Sequence, residues 1–95
     1  NIVSVMTLGK VSDEWSFILE TKLLSESGMT NETIAAKLEI RDFAVKEYLR
    51  QSKRFSARVW KDAMKDCLET DLNIKSGKAA EETAVELLIV KYATM

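Results

Sequence analysis

The chain has no histidine, no proline, one cysteine and only three glycines among its 95 residues. Without histidine, the commonest general acid–base and the commonest transition-metal ligand are gone, and no Ser–His or Cys–His catalytic set can be assembled. A single cysteine, Cys67, excludes an internal disulfide and a multi-cysteine zinc site. It falls inside a helical pattern and reads as a small buried hydrophobe; a lone thiol fits a reducing cytoplasm. The lack of proline, the scarcity of glycine and the absence of alternating runs ending in Asn-Gly or Asp-Gly argue for an all-α fold. No apolar run approaches the 18 or so residues that a membrane span requires, so no membrane partner is expected.

The rest of the composition is that of a globular unit, 46% hydrophobic and 31% charged, without low-complexity runs or linkers. Residues 1–95 therefore read as one helical domain. Because it begins at Asn1 without an initiator Met or a signal-peptide pattern, the sequence reads as a piece of a longer protein. The net charge of −1 conceals a segregation. From Arg41 to Lys65 there are eight basic and three acidic residues, whereas the remainder carries six basic and twelve acidic. A basic centre on an acidic chain points weakly to an anionic partner.

Periodicity predicts a bundle of about five helices. The first runs from about Ile2 to Ser27. Trp15, Phe17, Ile18, Leu19, Leu23 and Leu24 cover an arc of roughly 260° on it, wider than one core-facing stripe. This helix is thus either central or packed on its own core and on a neighbour. Lys22 falls inside that arc and must snorkel outward. Ser12 before Asp13-Glu14, with Gly9 preceding, offers an alternative helix start. Gly28 is a natural stop. Thr30 or Asn31 then caps a short helix ending near Leu38, with Ile34, Ala35 and Leu38 inward. After the turn Glu39-Ile40-Arg41, a third helix spans about Asp42 to Lys53, with Val45, Tyr48 and Leu49 on its apolar stripe.

Ser56 caps a fourth helix reaching about Ser76, with Trp60, Met64, Cys67, Leu68 and Leu72 as core positions and Val59 and Ala63 beside them. Gly77 closes it. The fifth helix runs from about Ala80 to Ala93, with Glu81 and Glu82 at its dipole-favoured start. It is apolar nearly all round, so it calls for cover on more than one side, and burial against a partner is expected.

Few constellations offer chemistry. Ser76-Gly77-Lys78 has the ending of a phosphate-binding loop, but Leu72 stands where that motif needs glycine and no strand precedes it. The acid pairs Asp13-Glu14 and Glu81-Glu82 are explained by helix starts. Asp71 and Lys75 have the spacing of a structural ion pair. No cofactor, metal ligand set or catalytic residue is expected, and the domain should act by binding. The segment Gly28–Leu49, a short helix, a tight turn and a second helix, has the form of a helix-turn-helix. In DNA readers of that form the second helix enters the major groove. Lys46, Arg50, Lys53 and Arg54 recur on one face there, with Arg58 and Lys61 beyond, and could neutralise phosphates. The same pattern also packs two helices without DNA.

Five stretches can be compared with a known family in order. They are Trp15–Leu24, an aromatic followed by a Leu-rich run and Lys; Gly28–Leu38, a Gly-x-Thr-x-x-x-Ile-Ala-x-x-Leu segment; and Phe43–Leu49 followed by Gln51-Ser52-Lys53-Arg54-Phe55. Asp71-Leu72-Asn73-Ile74-Lys75-Ser76-Gly77, an Asp-x-x-Ile-Lys-x-Gly element, and the apolar Glu86–Val90 complete the set. As an ordered set they resemble the C-terminal domain of the delta subunit of the bacterial DNA polymerase III clamp loader. The resemblance implies a domain that joins a circular collar with delta-prime and the gamma/tau ATPase subunits. It implies a chain whose other domains grip the sliding clamp, and a delta subunit without a working ATPase of its own. DNA contact is then possible within the assembled complex.

Two readings follow. The leading one is a protein–protein assembly domain, with Trp15, Leu19, Leu87, Leu88 and Ile89 as candidate interface residues. The second is a helix-turn-helix DNA-binding domain of a regulator, using Lys46, Arg50, Lys53 and Arg54.

Overall fold

The computed structural model describes residues 7–95. Five helices follow in order: α1 (Leu8–Glu26), α2 (Asn31–Leu38), α3 (Asp42–Ser52), α4 (Ala57–Lys75) and α5 (Glu81–Ala93). The bundle measures 42 × 24 × 22 Å. α1 is a spine that lies against both α3 and α4; α2 packs on α3, and α5 packs on α4. The wide apolar arc of α1 thus serves two cores. One, around Leu8, Val11, Ala63, Cys67, Val85, Leu88 and Tyr92, joins its N-terminal half to α4 and α5. The other, around Ile34, Ala35 and Val45, joins its C-terminal half to α2 and α3. Lys22 lies within the arc as expected and reaches out to Glu26, 3.8 Å away.

The helix ends obey their local chemistry. Thr7 is extended, and its hydroxyl accepts from the Lys10 amide at 3.2 Å, so α1 begins at Leu8. Ser12 is an interior helical residue and caps nothing. Burial of Leu8 and Val11 in the first core offsets the roughly 1 kcal/mol that Gly9 costs a helix. The expected helical turn over residues 2–6 lies outside the described residues. Thr30 and Ser56 cap α2 and α4 by accepting from the amides of Thr33 and Val59, each at 3.3 Å.

α1 and α4 end alike. Gly28 (φ +96°) and Gly77 (φ +79°) adopt the left-handed turn. The amides of Met29 and Lys78 then reach back to the carbonyls of Leu24 and Asn73, at 3.2 and 2.9 Å. This six-to-one closure brings Met29 onto Leu24 at the edge of the second core. At the end of α2 the left-handed position is taken by Glu39 (φ 57°), a conformation that costs a non-glycine residue roughly 1–2 kcal/mol. It makes the turn into α3 tight.

Four aromatic rings bind the halves together. Trp15 of α1 meets Tyr92 of α5 edge-on at 5.2 Å, and Phe55 of the α3–α4 turn meets Trp60 of α4 at 5.3 Å. The Trp60 indole donates to the Ser52 carbonyl at 3.1 Å, tying α4 to the end of α3. Thr21, buried at the centre of α1, has a hydroxyl with no hydrogen-bond partner, alone in this among the described residues. An unpaired buried hydroxyl carries its desolvation penalty without return. Thr21→Val, which exchanges that hydroxyl for a methyl, is expected to stabilise the fold by about 1 kcal/mol. Thermal denaturation should show a raised melting temperature; a lowered one would reveal a hidden partner.

Candidate functional site

α5 is fastened to α4 by one polar cluster. Asp66 of α4 accepts at Oδ2 from Lys91 Nζ (2.7 Å) and from the Tyr92 hydroxyl. Burial pushes the Asp66 carboxyl up, but the hydrogen bonds from Lys91 and Tyr92 and the Lys91 charge outweigh it and hold the group below its ordinary value. Burial, and then the bond to Asp66, raise the Tyr92 phenol. A depressed carboxyl contributes stability above its unfolded value, about 3.9, and that contribution is lost as pH falls through the lower folded value. Asp66→Ala leaves a buried phenol without its acceptor and is expected to cost about 2 kcal/mol. Asp66→Asn retains an acceptor and should cost less. Urea titrations at neutral pH and at pH 3 check both: the gap between wild type and Asp66→Asn should narrow in acid.

Both helices also expose large aliphatic side chains. Leu87 and Val90 of α5 are 65% and 50% exposed, and Leu68 and Leu72 of α4 are 62% and 59% exposed. Sequence periodicity put Leu68 and Leu72 in the core; the structure turns them outward. On a helical projection they lie about 100° and 140° round from Cys67, while Trp60, Ala63 and Cys67 fill the interior. Of the residues expected to face a partner, Leu87 is exposed, Leu88 is buried in the first core, and Trp15, Leu19 and Ile89 are half-buried. The exposed aliphatic surface of α4 and α5 is therefore carried by Leu68, Leu72, Leu87 and Val90. Cys67 lies beneath it, with burial pushing its thiol up to about 11, far from a reactive thiolate.

The basic stripe on and after α3 is broken up by its own partners. Arg50 donates to Glu47 through Nε and Nη2, at 3.0 and 2.5 Å, and Gln51 donates to the same carboxylate. These bonds pull Glu47 down to about 2, so the pair stays charged and mutually neutralised. Arg54 donates to the Ala93 carbonyl at the end of α5 (2.8 Å) and lies over the Phe55 ring. Lys46 and Lys53 project as exposed cations. Asp71 and Lys75 form an ion pair at 2.8 Å on the surface of α4. Among the described residues, no group of three or more His, Cys, Asp or Glu could hold a metal ion. No described helix is long and apolar enough to cross a membrane.

The family described as DNA polymerase III delta subunit, C-terminal domain, matches residues 6–92. The chain belongs to that family. A relative from Bacillus subtilis (strain 168), DNA polymerase III subunit delta, is 27% identical over 89 residues, covering 94% of this chain and 25% of its own. Among solved structures, the Bacillus subtilis DNA clamp loader delta protein (YqeN) superposes with a TM-score of 0.83 at 25% identity, over 93% of this chain and 26% of that one. The chain thus spans about a quarter of the length of the relatives it matches.

In this delta C-terminal domain the stretches that carry the resemblance are structural parts. Gly28 and Gly77 are helix stops, Ile34 and Ala35 fill the second core, and Asp71–Lys75 is the last turn of α4. The Asp66–Lys91–Tyr92 cluster was not foreseen. Its members lie 25 and 26 residues apart, and no local pattern joins them.

Proposed function

We propose that this domain is the collar piece of a clamp-loader delta subunit and works by holding that subunit in the assembly that loads the sliding clamp onto DNA. The observation that carries this is the outward placement of four large aliphatic side chains, Leu68, Leu72, Leu87 and Val90, on a domain of the delta family. Large aliphatic side chains exposed on two flanks of a small domain mark binding faces, and permanent interfaces are the more apolar ones. The partners are delta-prime and the gamma/tau subunits. The sliding clamp is gripped through domains outside this sequence, and DNA is met, where it is met, within the assembled complex. The domain has no chemistry of its own; ATP hydrolysis belongs to other subunits and DNA synthesis to the parent polymerase in the cytoplasm.

The neutralisation of Arg50 by Glu47 and the use of Arg54 to cap α5 weaken the case for an independent helix-turn-helix reader. Deletion of this domain from the full-length subunit tests the proposal. The truncated protein should no longer co-elute with the ATPase subunits on gel filtration; unaltered co-elution would overturn it.

A further inference from the structure

The apolar edge of α5 borders a groove, and the charges around that groove define what fits it. The groove, about 370 Å³, runs between α4 and α5 and is lined by Asp66, Glu69, Asn73, Ala84, Leu87 and Lys91, among others. Its floor is apolar where Leu88 is buried, and its lip is Leu87, 65% exposed. Asp66 is consumed by Lys91 and Tyr92. Asp62 and Glu69, both exposed on the same flank of α4, enter no ion pair among the described residues. Lys65 stands on this flank as well, and Lys91, bound to Asp66, lies near enough to feel the charges of Asp62 and Glu69; the three acids Asp62, Asp66 and Glu69 outnumber the two lysines. An apolar lip beside carboxylates in excess repels a nucleic-acid backbone and favours a cationic, amphipathic segment.

We infer that the α4–α5 groove receives a helix of a neighbouring clamp-loader subunit that presents an aliphatic side chain bordered by arginine or lysine. The aliphatic group enters beside Leu87, and the flanking cations meet Asp62 and Glu69. This rests on the assembly role proposed above and adds the chemistry of the partner. Charge complementarity at the rim acts on the rate of encounter and on the choice of partner, and salt screens it. The face formed by Leu68 and Leu72 lies on the other flank of α4, near Leu8, Ser12 and Glu81, and is not part of this contact.

The test uses the full-length subunit with the purified ATPase subunits, with affinity measured at low and high salt. Wild-type affinity should fall as salt rises. The double variant Asp62→Lys/Glu69→Lys should bind about tenfold more weakly at low salt, with the difference shrinking at high salt. Lys65→Glu, which removes the opposing cation, should tighten binding, an effect that no folding defect can imitate. Leu87→Asp, at an exposed site, should abolish the contact while leaving the melting temperature within a few degrees of wild type. If wild type assembles but charge reversal leaves affinity unchanged or stronger, the groove assignment is overturned and the assembly role stands. If wild type does not assemble, the assembly role itself fails. Concentration-dependent self-association that the double variant abolishes would assign the groove to a second copy of this chain and overturn the inference.

Discussion

Trp60→Ala is expected to cost about 3–5 kcal/mol of folding stability, the largest loss from any single substitution in this domain. The indole is 5% exposed and packs edge-on against Phe55 at 5.3 Å and Trp15 at 6.5 Å. Its Nε1–H satisfies the Ser52 carbonyl at the end of α3. Truncation therefore removes buried apolar area, opens a cavity at the meeting of α1, α4 and the α3–α4 turn, and takes the donor from a carbonyl. A domain of this size commonly has only about 5–15 kcal/mol of net stability, so the variant should lose a large fraction of it. Trp60→Phe keeps most of the ring and loses the hydrogen bond, so about 1–2 kcal/mol is expected. Urea denaturation distinguishes the pair. A loss below about 1 kcal/mol for the alanine variant would mean that the two cores are held together elsewhere.

The second large effect is on assembly. Leu68→Asp/Leu72→Asp is expected to leave the fold intact, since both side chains are more than half exposed, and to weaken association with the ATPase subunits by roughly 100-fold or more. Burying a leucine of this size contributes about 1.5–3 kcal/mol, and each tenfold in affinity is about 1.4 kcal/mol. Two lost leucines reach that range before the cost of pressing carboxylates into an apolar contact is added. Circular dichroism and thermal melts should match wild type while binding is lost. Retained binding would mean that this flank of α4 faces solvent in the complex as it does in the isolated domain.

The parts legible from sequence were those fixed by near neighbours along the chain. Thr30 and Ser56 as caps, Gly28 and Gly77 as stops, and Val45, Trp60 and Cys67 as inward positions follow from local backbone and side-chain chemistry. The arc on α1, too wide for one core, left two readings, a central helix or one packed on its own core and a neighbour, and the contacts with α3 and α4 select the first. The errors fell where position in the bundle decides. Leu68 and Leu72 continue the apolar pattern of α4 but lie past the sector that α1 and α5 cover, and no periodicity says how wide that sector is. Leu87 and Leu88 are adjacent and equally apolar; only the rotation of α5 makes one surface and the other core. Thr7 and Ser12 are both competent caps, and burial of Leu8 and Val11 selected the earlier. Arg50 and Arg54 share a basic stripe in sequence. Glu47 one turn away could have been noticed, but the Ala93 carbonyl, 39 residues on, could not.

The central claim is that this domain joins its subunit to the clamp loader, and sedimentation of defined mixtures tests it most directly. The full-length chain, mixed with the delta-prime and gamma/tau subunits, should sediment as one stoichiometric complex. The Leu68→Asp/Leu72→Asp and Leu87→Asp variants should sediment as free, folded subunits. Separate boundaries for the wild-type chain and the ATPase subunits would contradict the account.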